Sequence, residues 1–208
     1  MPSGFAEAQI SVKGSRFLAR LSPAGESTTA REVLVDRTGA HPDATHHCWA
    51  YRVWKNGRVE SAGFDAGEPA GTAGRPILGA LERADIVGAS CIVSRWFGGT
   101  KLGTGGLTRA YADAAEGAVT AARQGGLLHA VEPWSAFRIG FPYDSTAAVQ
   151  RVLARHKARE RSAEYGARVA LIASVPERSA DAFRRELLES TAGTVVATRL
   201  DDHLAPRA

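Results

Sequence analysis

Two glycine-rich segments carry the residues of this sequence whose types and spacing could do chemistry. Residues 61–76 form the first segment, and residues 94–111, with Arg95, Lys101 and Arg109, form the second. Together they contain nine of the 22 glycines, and each leads into a predicted helix. A glycine-rich loop that opens a helix directs backbone N–H groups and the positive end of the helix dipole at one point, which suits an anion. The segments therefore predict an anion-binding surface, to which the basic side chains add full charges.

The predicted anion and nucleic-acid site draws on both segments. Its residues are Thr72, Gly74, Arg75, Arg95, Gly98, Gly99, Lys101, Gly103, Gly105, Gly106 and Arg109. If the strands before the two segments run in the same direction, both segments lie at one edge of the sheet, with free N–H groups in the first turn of each following helix. These helices are expected to start near Thr72–Pro76 and Gly106–Leu107. The same glycines could instead only allow tight turns and close packing of an alanine-rich helix on the sheet.

Acid–base or metal chemistry would have to use His46, His47 and Cys48 together with the carboxylates Asp65 and Glu68. Adjacent residues of a strand point to opposite faces, so only one of the histidines can join a site. We take His47, Asp65 and Glu68 as the motif residues. The phosphate-binding P-loop, the dinucleotide fingerprint, the nucleophile elbow and the H-E-x-x-H zinc motif are absent from the sequence. No catalytic residue, metal or cofactor is therefore assigned.

The two carboxylates bear on the anion site in one of two ways. Glu68 and Asp65 could orient Arg75 or Arg95, or they could repel the anion. We favour the orienting role, because Pro69 fixes the turn just after Glu68.

A basic segment, residues 151–161, accounts for the whole positive net charge of the chain. The net charge is +4, and this segment alone holds five Lys or Arg and one Glu. Arg151, Arg155 and Arg159 recur at every fourth residue and would form one stripe on a helix. Such a stripe predicts sequence-independent attraction to polyanions. The alternative is an ordinary solvated helix face.

The elements that must position these residues fall into two groups, with the pattern restarting near residue 125. Before that point the sequence predicts two strands, a helix, a hairpin, a second helix, a buried strand and a long helix over 107–123. After it the order is β-α-β-β-α-β, the ferredoxin-like plan. We therefore predict an α+β protein with a βαβ domain over 1–125 and a ferredoxin-like domain over 133–205.

Composition excludes several classes of protein. A hydrophobic content of 44% with 23% charged residues is typical of a globular chain and excludes general disorder. Two cysteines exclude a disulfide framework and a four-cysteine zinc site. No apolar run reaches the length of a membrane span, and the first residues lack the apolar core of a signal peptide. We expect a cytoplasmic protein that is a monomer and has no membrane partner.

The motifs of the two segments resemble those of the IMPACT/YigZ family. They are His47-Cys48-Trp49-Ala50-Tyr51, then Gly67-Glu68-Pro69-Ala70-Gly71-Thr72-Ala73-Gly74 with Pro76, then Arg95-Trp96-Phe97-Gly98-Gly99 with Lys101-Leu102-Gly103, Gly105-Gly106-Leu107 and Arg109-Ala110-Tyr111. The similarity is strongest over residues 10–122. Ala66, Ala70 and Trp96 depart from the Asp, Ser and Tyr that are usual in the family.

This resemblance implies a fold and a biological theme. The N-terminal domain should adopt the fold of domain 2 of a small-subunit ribosomal protein, which is also that of domain IV of elongation factor G. The C-terminal domain should resemble domain V of that factor, and eukaryotic relatives regulate translation initiation. We therefore expect a non-catalytic protein that binds RNA or the ribosome in regulation of translation. The alternatives are a small-molecule enzyme that uses the two loops as a phosphate or nucleotide site, and a protein-interaction module.

Overall fold

The computed structural model describes residues 1–55 and 57–206. The chain divides into two compact units, Met1–Ala130 and Val131–Ala208. Each unit contains one antiparallel sheet, and the described residues form five α-helices and nine strands. The expectation of a mixed α+β protein is therefore confirmed. Within the described part of the chain, no helix combines the length and apolar character that crossing a membrane requires.

The first unit is a five-stranded sheet covered on both faces by helices. Its elements are β1 (Ala6–Val12), β2 (Ser15–Pro23), α1 (Ser27–Ala40), β3 (His46–Lys55), β4 (Arg58–Phe64), α2 (Gly74–Arg83), β5 (Ala89–Trp96) and α3 (Gly103–Gln124). The strand order is β1-β2-β5-β3-β4, with all neighbours antiparallel. Helices α2 and α3 pack on one face, and α1 packs on the other. The hairpin predicted around Asn56-Gly57 forms between β3 and β4, although Asn56 itself lies outside the described residues.

Helix α3 forms because small apolar side chains recur along one of its faces. The buried residues of this face are Leu107, Ala110, Tyr111, Ala114, Ala115, Ala118, Val119 and Ala122, as the helical period predicts. The predicted start near Gly106–Leu107 is wrong, because the helix begins at Gly103. Three glycines fall in its first turn, where their low helix propensity conceals the helix from a pattern-based prediction.

The second unit has the predicted β-α-β-β-α-β order. Its elements are β6 (Val131–Phe141), α4 (Thr146–Arg155), β7 (Arg159–Tyr165), β8 (Val169–Pro176), α5 (Ala180–Ser190) and β9 (Ala197–Pro206). The sheet order is β7-β8-β6-β9, again with all neighbours antiparallel. The core lies between this sheet and the inner faces of α4 and α5.

The predicted arginine stripe of the second unit is wrong. Helix α4 ends at Arg155, and Lys157 then takes a positive φ of 52°, which turns the chain into β7. Arg159 therefore lies on a strand, with its guanidinium 4.2 Å from the centroid of the Trp134 ring. Arg155 pairs with Glu186 of α5. A four-residue repeat of arginine does not by itself extend a helix through a left-handed residue.

Candidate functional site

The two glycine-rich segments meet at one edge of the first sheet. Strands β4 and β5 both run antiparallel to β3, so they run in the same direction as each other. The segments that follow them therefore leave the sheet at the same edge, which is the condition set by the sequence prediction. Contacts between their side chains show that they touch.

A buried ion pair joins the two segments. Arg95 Nη1 donates a hydrogen bond of 2.5 Å to Glu68 Oε1, and the two side chains are 6% and 4% exposed. Tyr111 donates its hydroxyl to the same Glu68 oxygen at 2.8 Å. Ser15 Oγ lies 3.5 Å from Arg95 Nη2 and accepts the backbone N–H of Gly98 at 3.1 Å. Glu68 thus orients Arg95, and together they hold the first segment, the second segment, β2 and α3 in one cluster.

Burial disfavours ionisation of the thiol and the phenol that lie beside this ion pair. It raises the pKa of Cys48 to about 12 and also raises the pKa of Tyr111 above its ordinary value. Cys48 Sγ lies 2.9 Å from the carbonyl oxygen of Asp65 and 3.3 Å from Tyr111 Oη. The thiol and the phenol therefore stay protonated and serve as hydrogen-bond donors. A protonated, buried thiol is unsuited to nucleophilic catalysis.

Asp65 caps the N-terminus of α2. Its carboxylate accepts backbone N–H groups from Gly71 at 2.7 Å, Ala73 at 2.9 Å and Gly74 at 2.8 Å. Burial alone would raise the pKa of Asp65, but these three donors hold it below its usual range. The expectation that the first turn of α2 offers free N–H groups to an anion is therefore wrong. The protein's own carboxylate already occupies that position.

Two more predicted residues of the first segment serve packing, and a third is exposed. A Cβ on Gly74 would overlap the backbone of Phe64, so α2 reaches β4 only because glycine stands there. Thr72 is buried and donates its hydroxyl to the carbonyl of Pro69 at 2.6 Å. Arg75 is exposed in the first turn of α2. Of these three, only Arg75 is accessible to a partner.

The two adjacent histidines lie on opposite faces of β3, as predicted. His47 Nδ1 is 2.9 Å from Ser94 Oγ and its Nε2 is 3.1 Å from the carbonyl of His41, on the face of α1. Burial lowers the pKa of His47, which keeps the ring neutral. His46, not His47, faces the first segment, with Nδ1 2.9 Å from the carbonyl of Ala66. The structure does not bring His47 together with Asp65 and Glu68.

The glycines of the second segment differ in why glycine stands at each position. A Cβ on Gly98 would overlap the backbone of Gly14 in the β1–β2 turn, so Gly98 is required for close packing. Gly99 and Gly103 have φ values of +84° and +71° in open space, and glycine is required there for backbone conformation. Gly105 has neither reason, because its added Cβ would meet only Arg109 Nη1 at an ordinary 3.7 Å.

The exposed part of the site is the N-terminus of α3. This 22-residue helix has no side-chain cap at Leu102 and no acidic residue in its first turn. Lys101, Gly103, Thr104, Gly105 and Arg109 are exposed, and Gly106 is half-buried. Orphan N–H groups and a positive helix end with two neighbouring cations make an arrangement that attracts anions.

Aromatic and basic side chains flank this helix end. Phe97 is 48% exposed at the start of the loop. The guanidinium of Arg16 lies 3.7 Å from the centroid of the Trp96 ring, and Lys13 is exposed in the turn whose Gly14 packs on Gly98. The edge of the first sheet therefore presents cations beside an exposed ring.

Sequence reasoning missed several residues that build the site. Tyr111 was visible only as a core position and Ser15 only as part of a turn, and Cys48 was considered for acid–base or metal chemistry but not as a partner of Tyr111. A tyrosine at an inward position of an alanine-rich helix was the available signal, since a buried hydroxyl needs a partner. Among the described residues, no group of three or more His, Cys, Asp or Glu could hold a metal ion.

Comparisons with known proteins match both parts of the chain. The Impact N-terminal domain matches residues 13–119, and a domain of unknown function (DUF1949) matches residues 139–194. An IMPACT family member from Haemophilus influenzae is 34% identical over 194 residues, covering 91% of each chain. The IMPACT family member YigZ from Escherichia coli is 28% identical over 192 residues, covering 92% of each chain.

A solved structure is similar to this chain over nearly its whole length. A crystal structure described as a hypothetical protein has a TM-score of 0.65 and 28% sequence identity, and the match covers 95% of this chain and 94% of that one. The match to the Impact N-terminal domain spans β2 to β5, the two segments and most of α3. Because this domain and a relative 34% identical over nine-tenths of the chain both match, the chain belongs to the IMPACT family.

Proposed function

We propose that this protein binds RNA, alone or on the ribosome, through the surface formed by Phe97, Lys101, Gly103–Gly106 and Arg109, here called the α3 N-terminal surface. The observation that carries the proposal is the uncapped, exposed start of α3 beside two exposed cations. The protein acts by binding and carries out no reaction.

Internal pairing of the acidic residues supports a polyanionic partner. The two segments contain only two carboxylates, Asp65 and Glu68. Three backbone N–H groups occupy the first, and Arg95 and Tyr111 occupy the second. The charge of Glu68 is balanced by Arg95, and that of Asp65 is offset by the positive end of α2. The exposed ionic side chains of the segments are all positive, which favours phosphate contacts.

The exposed ring supports RNA over a free phosphate. A groove that tracks a nucleic-acid backbone combines cations with aromatic rings on which bases stack. Phe97 supplies such a ring next to the glycine loop. A role in regulation of translation, and the likeness of the two units to domains IV and V of elongation factor G, belong to the same proposal and rest on the family resemblance.

Binding to RNA across a salt series tests this function. The full chain is titrated with a poly(U) oligomer and with purified ribosomal subunits, and log K is plotted against log salt concentration. Replacing Lys101 and Arg109 by alanine removes two phosphate contacts, so the slope should flatten by about 1.4, at roughly 0.7 per contact on single strands. Thermal stability should change little, because both side chains are exposed.

The matched control is Arg123→Ala. Arg123 is exposed on the same helix, about 21 Å from Arg109 at 1.5 Å per residue, and its loss removes one positive charge, as each of the two test substitutions does singly. This variant should bind RNA with nearly the parent slope. Equal effects of the control and the test variants would reduce the binding to a general charge effect and reject the α3 N-terminal surface. An unchanged affinity and an unchanged salt slope after loss of Lys101 and Arg109 would reject it as well.

A further inference from the structure

A second charged site lies in the first unit, on the face of the sheet that α1 covers. A cavity of about 310 Å³ opens between α1 and the β1–β2 pair. Its walls include Phe5, Arg20, Pro23, Val33, Asp36 and Arg37. This volume is at the lower end of the range for small-molecule sites. None of these residues belongs to the two glycine-rich segments.

Arg37 occupies a position where helical periodicity calls for an apolar residue. The inward positions of α1 are Ala30, Val33, Leu34 and Arg37, which follow the spacing of one helix face. Arg37 is only 5% exposed. An apolar side chain there would complete the contact between helix and sheet, so the buried guanidinium calls for a separate explanation.

The guanidinium of Arg37 is only partly satisfied. Its Nη1 contacts Glu7 Oε1 at 2.9 Å, while its buried Nε and Nη2 have no hydrogen-bond partner among the described residues. Burying a donor without an acceptor costs about 1–3 kcal/mol, and more when the group is charged. Buried unsatisfied donors of this kind mark places where an ion, a water molecule or a ligand belongs.

The charges around the cavity favour an anion. Arg20 stands opposite Glu7 in the β1–β2 register, and its Nη1 lies 3.7 Å from the same Glu7 oxygen that Arg37 contacts. Two guanidiniums thus share one carboxylate oxygen, which leaves one positive charge uncompensated at the cavity wall. Asp36 also lines the cavity, but it is exposed and its charge is screened by solvent.

The remaining walls suit a ligand with an apolar part. Phe5, Pro23, Val33 and Ala40 present carbon surface to the cavity. The ring of Phe5 is 57% exposed, and the Arg20 guanidinium lies 3.8 Å from its centroid. From the buried donors, the shared carboxylate and these walls, we propose that the cavity binds a small oxyanion, a carboxylate or a phosphate, which accepts hydrogen bonds from Arg37. This site is independent of the α3 N-terminal surface.

The Arg37 Nε–H resonance reports directly on this site. The full chain is labelled with ¹⁵N and titrated with inorganic phosphate and, separately, with benzoate, while chloride keeps the ionic strength constant. A new acceptor on Nε should move this resonance in a saturable way. A response to phosphate alone indicates a phosphate ligand, and a response to benzoate alone indicates a carboxylate with an apolar body.

Two variants complete the test. Arg37→Leu suits the apolar inward position, so it should stay folded, and its binding of the responding anion, followed by calorimetry, should be lost. Arg37→Lys keeps the charge without the planar fork and should bind about tenfold more weakly. Arg31→Leu, an exposed position on the same helix, is the matched control and should bind as the parent does.

Three results would overturn the site. The first is that neither anion shifts the Arg37 Nε–H resonance of the parent protein at concentrations up to ~10 mM. Such a concentration would reveal even a millimolar affinity. The second is undiminished binding by Arg37→Leu. The third is that the Arg37→Leu variant is more stable than the parent and the parent binds no anion. Arg37 would then be a buried charge with unsatisfied donors and no ligand. A Lys101→Ala and Arg109→Ala variant should respond like the parent, since those residues lie elsewhere.

Discussion

Replacing Glu68 by glutamine tests whether the buried ion pair holds the two glycine-rich segments together. The substitution keeps the shape and leaves an amide oxygen for the Tyr111 hydroxyl, but it removes the charge opposite Arg95. Both members of the pair are at most 6% exposed, so solvent cannot replace the lost carboxylate. Breaking a buried pair on one side costs about 3–5 kcal/mol. Because the amide still accepts a hydrogen bond, we expect the lower end, about 3 kcal/mol.

The chain provides a matched control in Glu116→Gln. Glu116 and Arg83 form a pair with the same 2.5 Å distance, but their side chains are 51% and 59% exposed. Exposed pairs contribute about 0–1 kcal/mol, since water screens the charges and solvates whichever partner remains. The two substitutions remove the same chemical group at the same distance, so any difference between them measures burial.

Urea unfolding followed by circular dichroism gives the free energy of unfolding of both variants and of the parent. The Glu68→Gln variant should lose about 3 kcal/mol, with a fall in Tm of roughly 10 °C. The Glu116→Gln variant should lose less than about 1 kcal/mol. Equal losses of unfolding free energy in the two variants would refute the claim that burial allows the Arg95–Glu68 pair to hold the two segments together. A double variant that also carries Arg95→Met should recover part of the loss, because no unpaired charge then remains.

Three further predictions concern the loops and the two units. Gly98→Ala should destabilise the chain by roughly 1–3 kcal/mol in urea unfolding, because its Cβ overlaps the Gly14 backbone, whereas Gly105→Ala should stabilise it by about 0.5–1 kcal/mol. Asp65→Asn should cost about 1 kcal/mol at neutral pH, and this difference should shrink as pH falls below about 4, because the lowered pKa of Asp65 gives a contribution that protonation removes. A fragment of residues 1–130 should unfold cooperatively on its own in thermal melts, with protease cleavage of the whole chain confined to about 124–133.

The architecture followed from sequence wherever periodicity and turn chemistry were strong. The alternation around Asn56-Gly57 predicted the β3–β4 hairpin, and the alanine spacing predicted the buried face of α3. The pattern restart after residue 125 gave the correct element order of the second unit. These features are local, so a single stretch of chain contains the whole signal.

The sequence did not show which groups the folding of the loops and strands brings together. Nothing near Asp65 in sequence indicates that its carboxylate reaches the N–H groups of Gly71, Ala73 and Gly74, because that depends on how the loop folds back. Likewise, Arg95 and Glu68 are 27 residues apart along the chain and pair only because β4 and β5 run in the same direction. The sequence of a motif therefore shows which charged residue it contains. The topology of the fold decides which group that residue pairs with.

Internal pairing decides how much of a segment's charge is left for a partner to meet. Sequence counting assigned the excess positive charge to residues 151–161, yet Arg155 contacts Glu186 and Arg159 covers Trp134. In the two glycine-rich segments of the first unit, the numbers of basic and acidic side chains are closer to equal. Their carboxylates are paired inside the protein, whereas their exposed cations are left to contact a partner. What an approaching phosphate meets is the charge left after internal pairing, so the start of α3, not the basic segment, is where net charge and free N–H groups coincide.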